Sequence, residues 1–172
     1  FVFAGMGARN GVTSAILVQS GFTGVVDAFS GENNYFESFS PGVRPALLVE
    51  ELGSRYEIQQ TDIKKYSVGA PIQAPLDALL ILRERHGLTA ANVQEIIARV
   101  PDDRVLIVRD RDMPDVDLRH VLAVALLDGG MTFDASHSRE RMKDPAVLAI
   151  RERITLVGDP ELRTAKIKRG GM

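Results

Sequence analysis

The chain contains no cysteine. That excludes disulfides, a thiolate nucleophile and any cysteine-ligated zinc, and it fits a reducing cytoplasm. Charge of one sign is also missing. Lys and Arg total 21 against 23 Asp and Glu, for a formal charge of −2. A nucleic-acid partner is therefore not expected, because the basic footprint is absent. No apolar run reaches the roughly 18 to 20 residues that span a bilayer, so no membrane partner is expected either. The opening Phe-Val-Phe-Ala-Gly has no basic segment ahead of its apolar residues and does not read as a signal peptide. It enters in mid-pattern, and the closing Lys-Arg-Gly-Gly-Met reads as a turn. The expectation is an internal piece of a longer protein.

What is present is the composition of a soluble globular protein, 45% apolar and 26% charged over 172 residues. That length allows one ordinary domain or pieces of two. The rest of the chain reads as arranged around Asp62 to Leu82. Two lysines sit in an extended segment, the chain turns at Gly69–Pro71, and an apolar helix follows over about 72 to 86, stopped at Gly87. Ile72, Leu76, Leu79, Leu80 and Leu82 fall on or near one face, and Pro75 suits the first turn, where a missing N–H costs nothing. Lys64, Tyr66, Ser67 and Gln73 then surround one corner. Free helix N–H groups and a lysine there suit an anion. The blander reading, a surface lysine pair before an ordinary core helix, stands beside it.

Around this corner the periodicity predicts helices first. Residues 7 to 20 carry Ala8, Val12, Ala15 and Ile16 at helical spacing, with Gly21 as the stop. Shorter helices are expected over Val25 to Phe29, Glu32 to Phe39 and Pro45 to Leu52, and an extended piece over Tyr56 to Ile58. Thr89 suits the N-cap of a brief turn. Val93 to Val100 is ambiguous but favours a strand, and Val105 to Val108 is brief, β-branched and apolar. Leu118 to Leu127 is a strongly apolar helix ended by Asp128-Gly129-Gly130. Ser136 to Met142 and Pro145 to Glu152 read as short helices, the second with Asp144 as N-cap and Pro at its first turn. Arg153 to Val157 and Thr164 to Arg169 alternate apolar and polar residues as strands do. The fold class is α+β, with residues 1 to 55 helical and 56 to 172 mixed.

Several chemistries find no support. There is no Gly-x-Gly-x-x-Gly: the nearest stretch, from Gly5, lacks its third glycine. No nucleophile elbow is present. His86, His120 and His137 lie far apart without ligand spacing, so no metal is expected. His120 lies near the first turn of an apolar helix, where Asp115 and Asp117 are placed to orient its ring. It suits a general acid or base, and equally a half-buried histidine tied to a local carboxylate. Arg9 suits a carboxylate ligand or a salt bridge.

Several of these stretches together resemble the MmgE/PrpD family. They are Gly5-Met-Gly-Ala-Arg-Asn-Gly-Val-Thr-Ser-Ala with Gly21-Phe-Thr-Gly24, Ile63-Lys-Lys-Tyr-Ser-Val-Gly running on to Leu76-Asp77-Ala78, Ala123-Val-Ala-Leu-Leu-Asp-Gly-Gly, Asp144-Pro-Ala-Val-Leu and Val157-Gly-Asp-Pro-Glu-Leu. That family includes 2-methylcitrate dehydratase, cis-aconitate decarboxylase and iminodisuccinate epimerase. The resemblance implies the end of a large helical domain followed by an α+β lid, with the active site in the cleft between them. It also implies a homodimer and a small polycarboxylate substrate, with no cofactor. Lys64 matches the lid lysine that binds a substrate carboxylate or assists proton transfer. Gln73 stands where dehydratase and decarboxylase members carry a histidine, and His120 where the decarboxylase has a tyrosine. The resulting expectation is a lyase with catalytic Lys64 and His120 and with Gln73, Ser67, Tyr66 and Arg9 binding substrate. An epimerase and a non-catalytic truncated domain are the alternatives.

Overall fold

The computed structural model describes residues 4–39 and 41–163. The chain divides into two units, Phe1–Gln59 and Gln60–Met172. In the first, helix α1 (Met6–Gln19) forms where the spacing predicts it, and Gly21 at φ 92° stops it. Its apolar residues remain uncovered: Val12 is 62% exposed and Ile16 56%. None of the described residues of this unit is buried.

Two expectations fail here for local reasons. No helix forms over Val25 to Phe29, because the Asp27 carboxylate accepts from the backbone N–H groups of Phe29 and Ser30 and bends the chain into a turn. Tyr56 to Ile58 is not extended: a 3-10 turn runs over Glu57–Gln60, with the Gln59 N–H bonded to the Tyr56 carbonyl. Helix α2 (Tyr35–Phe39) starts later than expected, and the helix expected at Pro45 shrinks to a 3-10 turn over Pro45–Leu48. The rings of Phe29, Tyr35, Phe36 and Phe39 gather beside α2.

The second unit has α+β architecture around one apolar core. A 3-10 turn at Ala70–Ile72 leads into α3 (Gln73–His86), which Gly87 closes in the left-handed conformation at φ 62°. Ile72, Leu76 and Leu79 are buried as the spacing requires. Leu82 is 45% exposed, against expectation. At 100° per residue the face through Leu76 and Leu79 continues to Arg83 rather than Leu82. Strand β1 (Ile96–Pro101) pairs in parallel with β2 (Ile154–Asp159), from Ile96 opposite Ile154 to Pro101 opposite Asp159. Ala98 and Val100 point inward while Ile97 and Arg99 are exposed, the period-two alternation of a strand with one covered face. A parallel pair needs a long crossover, and four helices supply it.

The first of them is α4 (Val105–Val108), a single helical turn. Val105 and Val108 are both buried while Leu106 and Ile107 between them are exposed, so burial follows a three-residue spacing. Next comes α5 (Leu118–Asp128), the centre of the unit. Leu118, Val121, Leu122, Val124, Ala125 and Leu126 are each at most 1% exposed, and each large one contributes about 1.5–3 kcal/mol by leaving water. Helices α3 and α7 (Pro145–Arg151) pack on it. Asp117 caps the start of α5, and Gly129, at φ 77°, closes its end. The positive φ is what requires glycine at 129; a Cβ there would also lie 2.8 Å from the Arg83 guanidinium, the far end of a flexible side chain that can shift.

Helix α6 (Phe133–His137) sits earlier than the helix expected over Ser136 to Met142, because the Thr132 hydroxyl accepts from the Ala135 N–H and fixes the start. Helix α7 starts as predicted, with Asp144 accepting from the Ala146 N–H and Pro145 in the first position, and ends one residue earlier, at Arg151. The strand expected over Thr164 to Arg169 lies outside the described residues.

Candidate functional site

At the corner before α3 the sequence brings four side chains together. The Gln73 amide faces back over the segment that precedes its helix. Its oxygen accepts from the Tyr66 N–H at 3.1 Å, and its nitrogen donates to the carbonyls of Tyr66 at 2.8 Å and Val68 at 3.2 Å. Both ends of the amide are thus engaged with backbone, which makes Gln73 a clamp on the corner. One turn further on, Asp77 lies on the same face of the helix. Its carboxylate accepts from the Tyr66 hydroxyl at 2.8 Å and from the Lys65 ammonium. That ammonium also lies 5.3 Å from the centre of the Tyr66 ring, a cation–π distance. The Gly69 N–H donates to the Asp115 carbonyl at 2.8 Å, which ties the corner to the loop ahead of α5.

These contacts set the electrostatics. Lys65, and then Tyr66, hold the Asp77 carboxyl below its ordinary value. The bond to Asp77 raises Lys65. Burial, followed by the bond to Asp77, raises the Tyr66 phenol. Lys64 differs from its neighbour: it is exposed and has no hydrogen-bond or ion-pair partner among the described residues. Ser67 is exposed beside it.

His120 lies elsewhere, inside the helical layer. The residue is 1% exposed, and its Nε2 is buried without a partner. Burial lowers its pKa; Asp117 opposes that shift, and Arg151 and Arg141 add to it. Neither carboxylate expected to orient the ring does so through a hydrogen bond to it. Asp117 accepts from the His120 backbone N–H at 2.9 Å, as an N-cap, while Asp115 offers its carbonyl to Gly69. Asp117 is fully buried and also accepts from the Arg111 N–H and the Arg151 guanidinium, both at 2.9 Å. Asp110 holds Arg151 from the other side, at 3.3 Å, and pairs with Arg119.

Arg9 lies on α1, in the first unit, exposed and 3.7 Å from the Met6 sulfur. Among the described residues no group of three His, Asp or Glu is placed to hold a metal ion, and no helix is long and apolar enough to cross a membrane. Sequence reasoning assigned no role to Asp77 or to Arg151. The four-residue step from Gln73 to Asp77 was a readable signal for the first. Nothing local marks Arg151 as the partner of a carboxylate 34 residues earlier.

No curated protein matches the chain. Residues 66–170, well over half of it, match the family model of the MmgE/PrpD C-terminal domain. The match begins two residues after Lys64 and takes in the corner from Tyr66 on, the α5 layer and both strands. The chain belongs to the MmgE/PrpD family.

Proposed function

We propose that the chain carries the lysine-bearing side of a lyase site for a small di- or tricarboxylate. A base removes a proton from the carbon next to a carboxylate, the electron pair enters that carboxylate as an enolate-like charge, and the pair then returns to form the C=C bond as a neighbouring hydroxyl takes a proton from a general acid and leaves as water. In the decarboxylating variant CO2 leaves first and the carbanion takes up a proton. The reaction as proposed calls on no metal or organic cofactor. Either route places extra negative charge on oxygen, which fixed cations and donors stabilise best where water is excluded.

The observation that carries this reading is Lys64, an exposed cation without a partner among the described residues, next to a lysine that has one. It would bind the carboxylate, with the Ser67 hydroxyl beside it as a donor. Gln73 enters as the group that holds the backbone of the corner, since its amide has no free donor for substrate. His120 enters only as a neutral base with an unpartnered Nε2. Substrate would meet that ring only through an opening of the α5 layer, so Lys64 and not His120 supports the reading. The same proposal takes residues 1 to 55 as the end of a helical domain and 56 to 172 as a lid, in a cytoplasmic homodimer with Arg9 as a further carboxylate ligand.

The test is proton NMR of the full-length protein in deuterated water with succinate, malate, citrate, 2-methylcitrate and cis-aconitate. Exchange next to a carboxylate together with loss of water or CO2 is expected. Lys64→Ala is expected to slow it roughly 100-fold, the scale of one lost charge-stabilising donor. Exchange with inversion and no new product would make the protein an epimerase. Absence of exchange with all five acids would sink the reading.

A further inference from the structure

Two adjacent lysines precede α3, and they differ in one respect: Lys65 is held and Lys64 is not. We infer that Asp77 is the specificity-determining residue of the corner, because by taking up the Lys65 ammonium and the Tyr66 hydroxyl it leaves Lys64 as the cation offered to an anion. The anion in question is the substrate carboxylate, and to that extent the inference rests on the function proposed above.

The geometry favours this division of roles. Asp77 lies one turn into α3, on the face shared with Gln73, so the helix itself sets the height of its carboxylate. The Gln73 amide fixes the Tyr66 backbone through both its N–H and its carbonyl. With that backbone fixed, the Tyr66 hydroxyl reaches Asp77 at 2.8 Å, and its ring lies under the Lys65 ammonium at 5.3 Å. Lys65 therefore has a counter-ion and a ring face, whereas Lys64 has neither among the described residues. Counting Lys64, Lys65 and Asp77, the corner carries one net positive charge, matched to one carboxylate. Without the Asp77 charge it would carry two, and it would favour anions of higher charge.

Amine reactivity reads this out without reference to turnover. Limiting acetic anhydride near neutral pH acylates free amines only, and fragmentation mass spectrometry of the full-length protein separates Lys64 from Lys65. Lys64 is expected to react about two to five times faster than Lys65, the range of an exposed ion pair. Asp77→Asn should bring Lys65 up to the rate of Lys64 and leave Lys64 unchanged. Tyr66→Phe, which keeps the ion pair, should retain most of the contrast. Equal rates in the unaltered protein would overturn the inference, and so would a Lys65 rate that Asp77→Asn does not move. The unaltered protein alone keeps the idea falsifiable should Asp77→Asn fail to fold. Tricarballylate added to the same reaction should slow Lys64 selectively. Loss of that protection with the lysine contrast intact would count against the carboxylate reading and leave the role of Asp77 standing.

Discussion

Helices α1 and α5 show how differently one kind of pattern can end. Both carry apolar residues at helical spacing, and both form where that spacing places them. Yet α1 has no buried residue, while all but three residues of α5 are buried. Their ends differ too. A carboxylate caps α5 at its start, whereas Gly5 gives α1 no side-chain cap. Periodicity therefore predicts that a helix exists and which face is apolar. How much that face contributes depends on elements distant in sequence, since most helix stability in proteins comes from packing.

The comparison breaks first at Asp117. Replacing it by alanine removes the cap of α5 and leaves the Arg151 guanidinium without its buried partner. Losing one side of a buried pair costs about 3–5 kcal/mol, and Arg151, still in reach of Asp110, brings the expectation to about 3–4 kcal/mol. Urea unfolding followed by far-UV circular dichroism measures it, and a loss below about 1 kcal/mol would show that the cap and the ion pair do not hold α5. Leu122→Ala comes next, at about 3 kcal/mol, for a side chain 1% exposed in the middle of the core. Ile16→Ala on α1 is its control: at 56% exposure the expected change stays within about 0.5 kcal/mol. A large effect at Ile16 would mean that α1 is covered in the working protein, and the contrast between the two helices would then vanish.

Much of the fold was legible for the same physical reason. The helix over 72 to 86 announces itself by its apolar face and by Gly87, and α7 by Asp144 and Pro145, because stop and start signals are local. The misses arise where a side chain competes with the backbone, as Asp27 does. The corner before α3 was legible in the sequence, but its internal pairing was not. Lys64, Tyr66, Ser67 and Gln73 were each placed at the corner, but which lysine is paired depends on Asp77, and which amide is engaged depends on the fold of the preceding turn. Arg9 lies on α1, in the first unit.

The smallest expected effect concerns His120, and its sign follows from burial. Its pKa in the folded protein lies below the ordinary 6.5, with burial the largest cause and Asp117 opposing it. The unfolded chain therefore binds a proton more readily than the folded one. Stability from keeping the ring neutral is fully present above the unfolded value and is lost as pH falls through 6.5 towards the folded value. Asp77 changes in the same direction but in a lower window, because its carboxyl is depressed from 3.8. The melting temperature should fall as pH goes from about 7.5 to about 5.5, the interval in which a histidine titrates. His120→Leu should flatten that fall, since an apolar ring-sized side chain has no proton to gain and leaves no buried Nε2 unpaired. If the slope survives the substitution, the proton uptake belongs to another group, and the buried imidazole is already charged or reaches water in the folded state.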